Sequence, residues 1–85
     1  MREEIFQYVK KKYKVEPDYP FSTAPTYPVL RHKDNRKWFA LIMDIPREKL
    51  GLEGSENVDI MNVKLGDPIL VDMIVRQLGY FYGYH

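Results

Sequence analysis

The chain has 85 residues, enough for one domain and no more. With 45% hydrophobic and 29% charged residues it has the composition of a globular protein, and 14% aromatic residues give a small core large side chains to bury. It has no cysteine, which excludes a disulfide framework, a thiolate metal site and a Cys nucleophile and fits a reducing, cytoplasmic setting. No apolar run reaches the length of a membrane span, and the charged N-terminus lacks the apolar block of a signal peptide.

The formal net charge of +1 hides an uneven distribution. Residues 1–14 carry five bases against two acids, and residues 31–37 carry four against one, each segment netting +3. Residues 44–59 carry five acids against two bases and net −3. The two basic segments form a patch only if the fold brings them together; otherwise they are ordinary solvated faces.

In chain order, residues 2–13 predict an amphipathic helix. Ile5, Val9 and Tyr13 recur at i, i+4 and i+8 beside Phe6, with Glu3 and Glu4 in the first turn and lysines in the last. Pro17, Pro20, Pro25 and Pro28 punctuate an irregular connection, which Tyr19 and Phe21 are expected to pin onto the core. "VLRH" and "WFALIMDI" are strand-forming runs around a "KDNRK" turn. The second run, 38–45, is almost wholly apolar and predicts a central strand. "REKLGLEGSEN" is a polar loop with room for a helical turn.

"VDIMNVKL" alternates, with Asp59, Met61, Val63 and Leu65 on one face and Val58, Ile60, Asn62 and Lys64 on the other. Asp67 reads as an N-cap with Pro68 at the first helical position. Ile69, Leu70, Met73 and Ile74 mark the buried stripe of a second helix, and Gly79 reads as its C-cap. The rings at Trp38, Tyr80, Phe81 and Tyr82 are expected to pack in the core. Together these elements predict an α+β domain: an antiparallel sheet of three or four strands with two helices on one face.

Candidate chemistry is sparse. His32, near a hairpin turn, is expected to be solvent-exposed, and His85 closes the chain. Neither belongs to a triad or a metal-ligand spacing, and no phosphate loop is present. The expectation is therefore a non-enzymatic module with no metal and no cofactor. Nucleic-acid binding needs bases for phosphates, and Arg31, Lys33, Arg36 and Lys37 on the hairpin supply them, joined by Lys10, Lys11 and Lys14 of the first helix. The alternative is a protein-interaction domain that forms a homo-oligomer through an open sheet edge.

The ordered elements "DYPF", "KWFALI", "NVKLGDP" and "GYFYGYH" resemble the MmcQ/YjbR family of small bacterial proteins. Its motif positions fall here on Tyr19, Pro20, Phe21, Lys37, Phe39, Lys64, Pro68, Gly83, Tyr84 and His85. Members continue past the Gly-Tyr-His of the closing motif, so the chain looks like a truncated single domain (1–85) without the family's C-terminal strand and helix. The resemblance implies a CyaY/frataxin-like fold, largely uncharacterised function, and DNA contact through a double wing of hairpins. It implies frataxin-like metal binding only weakly, because the first helix is lysine-rich where hard cations need clustered carboxylates.

Overall fold

A computed structural model describes residues 2–77 and 80–83, with side chains through Arg76. In chain order it contains α1 (Arg2–Tyr13), β1 (Val29–Arg31), β2 (Trp38–Pro46), a 3-10 turn (Arg47–Leu50), β3 (Asn57–Val63), α2 (Pro68–Gln77) and β4 (Tyr80–Gly83). The strands form one sheet in the order β1-β2-β3-β4, so the apolar β2 is central as its composition requires. β1, β2 and β3 are antiparallel neighbours. β4 joins parallel to β3, so the antiparallel expectation holds for three strands and the fourth reverses it. The connection through α2 returns the chain to the end where β3 began, and a strand starting there can only run parallel.

α1 and α2 pack on one face of the sheet. Ile5 and Val9 of α1 and Leu70 and Ile74 of α2 close over Ala40, Ile42, Met61 and Val63 in one buried cluster. Ala40 pairs with Val63 and Ile42 with Met61, so these side chains share a face. The stripe on α2 is Leu70–Ile74; Ile69, expected in it, is 59% exposed. One position of slip along a helix turns a side chain by about 100°.

The register between β1 and β2 shifts at Arg31, which pairs with Trp38 while Leu30 pairs with Ala40. Phe39 is thus an extra, bulged residue, and the bulge turns Phe39 and Ala40 alike into the core. Trp38, expected in the core, is turned by the same bulge to the opposite face, where it lines a cleft with Leu41.

The expected anchors of the connection, Tyr19 and Phe21, are 50% and 41% exposed. The segment is held instead by its backbone. Asp18 and Val29 exchange both N–H···O bonds (3.0 and 2.8 Å), Val15 is buried, and the Pro28 carbonyl accepts from the Ile42 N–H at 3.1 Å. The Asp18 bridge also occupies part of the outer edge of β1.

Candidate nucleic-acid interface

The two basic segments meet at one end of the domain, and Phe39 is the reason. Its ring lies 5.5 Å from that of Tyr13, the last residue of α1, and 4.9 Å from that of His32, in the hairpin turn. His32, expected in solvent, is half-buried by this contact. The C-terminal turn of α1 and the tip of the β1–β2 hairpin therefore flank one buried ring. Lys64 joins them: its N–H donates to the Phe39 carbonyl at 2.8 Å, and its ammonium sits 3.8 Å from the centre of the Trp38 ring.

This end carries Lys10, Lys11, Lys12, Lys14, Arg31, Lys33, Arg36, Lys37 and Lys64 against Glu16, Asp18, Asp34 and Asp67. The cations are not equivalent. Arg31 donates from Nε to Asp18 at 2.9 Å, and Arg36 lies 3.8 Å from the same carboxylate. Lys10 faces Glu16 at 3.3 Å on the surface. Lys11, Lys33 and Lys37 are exposed and make no ion pair among the described residues. Lys14 is exposed and donates to the Lys11 carbonyl at 2.8 Å.

Lys14 and Arg36 share a further property. Both have left-handed backbones, with φ of 62° and 63°. Lys14 terminates α1, its N–H still bonding the Lys10 carbonyl at 3.0 Å, and Arg36 closes the hairpin turn through a 3.0 Å bond to the His32 carbonyl. Glycine adopts this conformation without the cost a Cβ incurs.

Beneath the basic end lies a buried carboxylate. Asp67 caps α2, accepting from the N–H groups of Ile69 and Leu70 at 3.1 Å each, as its position before Pro68 predicts. It also accepts from the hydroxyls of Tyr8 (2.8 Å) and Tyr13, and from Lys12 at 3.1 Å. Burial pushes the Asp67 carboxyl up, but the donors from Tyr13, Leu70, Tyr8 and Lys12 outweigh it and hold it well below the usual range. Burial, then the Asp67 hydrogen bond, pushes the Tyr13 phenol up to about 12. Bonds to Tyr8 and Asp67 hold Lys12 above the ordinary lysine range. The capping role is legible from sequence, whereas the convergence of α1 on Asp67 appears only once the helices dock. The carboxylate stays ionised through neutral pH.

The other end is acidic. Asp44 and Asp59 face each other across β2 and β3. Arg2 offsets one of the two charges with two bonds to Asp59 (2.9 and 2.8 Å), while Thr26 donates to Asp44 at 3.1 Å. Beyond them the β2–β3 connection exposes Glu48, Glu53 and Glu56. Charge thus runs along the strands, positive at the start of β2 and negative at its end.

Most of the motif positions gather at the basic end. Pro20 and Phe21 line an apolar cleft of about 300 Å³ with Val29, Arg31, Trp38 and Leu41. Lys64 lies over the Trp38 ring of the cleft, Lys37 and Phe39 flank Trp38 in the chain, and Gly83 of β4 is the register partner of Val63. Tyr19 is on the surface nearby, and Pro68 opens α2 beside Asp67. Gly79, Tyr84 and His85, and the side chains of Tyr80, Phe81 and Tyr82, lie outside the described residues. Among the described residues, no group of three or more His, Cys, Asp or Glu is placed to hold a metal ion, and no helix is long and apolar enough to cross a membrane.

The sequence is 45% identical over 84 residues to the uncharacterised protein YyaQ of Bacillus subtilis (strain 168), covering 99% of this chain and 70% of that protein. The chain belongs to the YyaQ family. Solved structures from Pseudomonas syringae agree with that membership. A crystal structure shares 43% identity with a TM-score of 0.67 over 91% of this chain, which spans 65% of that protein. A solution NMR structure shares 42% identity with a TM-score of 0.64 over the whole chain and 67% of that protein. No family model matches the sequence.

Proposed function

We propose that this YyaQ-family protein is a non-enzymatic cytoplasmic module of the MmcQ/YjbR type that binds the nucleic-acid backbone with its basic end. The meeting of the α1 terminus and the hairpin tip around Phe39 carries this reading, because it brings the lysine-rich end of α1 and the basic hairpin onto one surface. Exposed lysines without acidic partners suit phosphate contact, where affinity comes from releasing counterions. The left-handed backbones of Lys14 and Arg36 add support, since strained positions held by cations rather than glycine point to a use for the charge.

The structure divides the candidate residues. Lys11, Lys14, Lys33 and Lys37 face solvent, whereas Arg31 braces Asp18 and so holds the 14–28 connection to the hairpin. Titration of duplex DNA at about 50 and about 200 mM salt should show affinity falling steeply with salt. Changing Lys11, Lys14, Lys33 and Lys37 to Ala should shallow the salt slope by roughly one unit per lost phosphate contact, with little change in thermal midpoint. Absence of binding at the lower salt would refute the reading.

A further inference from the structure

The sheet has a second face. With Ala40, Ile42, Met61 and Val63 turned toward the helices, the alternation places the apolar Leu41, Met43, Ile45, Val58 and Ile60 on the opposite side, with the polar Asn62 as the register partner of Leu41. None of these five belongs to the helix-side cluster, and all but Val58 are only half-buried. Both helices lie on the far side, and among the described residues the Pro20–Phe21 corner borders this face, at the cleft beside Trp38. The result is an apolar strand surface flanked by cations at one end and carboxylates at the other.

We infer that this face binds a second copy of the chain, sheet against sheet, with the strands of the two copies running in opposite directions. Two such faces can be stacked about a two-fold axis along the strands or across them. An axis along the strands sets hairpin on hairpin and acidic loop on acidic loop, and like charges repel at both ends. An axis across them sets Lys33 and Lys37 of each copy toward Glu53 and Glu56 of the other, while Leu41, Met43 and Ile60 meet their counterparts in the middle. Charge selects the second arrangement. Three strands about 4.8 Å apart offer a face on the order of 300 Å², well under the roughly 800 Å² per partner of a stable complex. The association is therefore weak and reversible, and the charged ends decide its geometry.

A charge-swap experiment tests this independently of nucleic-acid binding, because it reads mass alone. Sedimentation velocity of the chain over a wide concentration range should show a monomer–dimer equilibrium that weakens as salt rises. Lys33→Glu with Lys37→Glu gives one variant, and Glu53→Lys with Glu56→Lys gives the other; all four positions are exposed, so folding is preserved. Each variant alone should remain monomeric, and an equimolar mixture should recover the dimer, because both of its end contacts are again opposite in sign. Leu41→Lys should abolish dimer in either setting, with circular dichroism confirming the fold. A chain that stays monomeric at all concentrations, variants that dimerise alone, or a mixture that does not recover would each overturn the proposal.

Discussion

Replacing Asp67 with Ala should cost about 3–4 kcal/mol and bring the domain close to unfolding at physiological temperature. The cap contributes about 1 kcal/mol, and each partly buried tyrosine hydroxyl left without an acceptor adds about 1 kcal/mol or more. A domain of this size has only roughly 4–13 kcal/mol in all. Asp67→Asn should cost less, since Asn still caps a helix, but it removes the charge that Lys12 and the two phenols surround.

The pH dependence tests the part played by the charge. Asp67 has a depressed folded-state pKa, so its contribution is present above the unfolded value near 3.9 and is lost as pH falls further. Tyr13 and Lys12 have raised values, so their contributions are complete below about pH 10 and are lost as pH rises toward 12. Urea midpoints measured across this range should fall at both extremes for the native chain. Asp67→Asn should flatten both limbs; an unchanged acid limb would show that Asp67 is not the group responsible.

Phe39→Ala should cost about 3–5 kcal/mol, the usual penalty for emptying a core ring site. Phe39 is fully buried, and Tyr13 and His32 both rest on it, so the cavity opens between the α1 terminus and the hairpin. Phe39→Leu keeps most of the volume and should leave a folded protein about 1 kcal/mol weaker. In NMR spectra the His32 ring protons, shifted by the neighbouring aromatic ring in the native protein, should return toward their free positions in the Leu variant. If they do not move, His32 is not seated on Phe39.

Much of the fold follows from local rules. The ends of α1, the Asp67 cap and the alternation of β3 each depend on neighbours a few residues away, and those expectations hold. The failures share a different cause. Whether Trp38 or Phe39 points inward depends on a bulge that no glycine or turn residue announces. Tyr19 and Phe21 read as anchors by size, but the Asp18–Val29 bridge already holds their segment and leaves the rings outside. The same limit applies to the basic surface: its charges are visible in the sequence, but their meeting depends on one ring touched from two distant segments.

Lys14 and Arg36 carry a consequence for how this chain would change under selection. Lys14→Gly and Arg36→Gly should each raise the thermal midpoint, because each relieves a left-handed residue with a Cβ, worth about 1 kcal/mol. A library screened only for heat resistance would therefore enrich glycine at both positions. A library screened for retention on an immobilised polyanion would keep the cations. Divergence between the two screens at positions 14 and 36 would mark them as places where the domain gives up durability for binding.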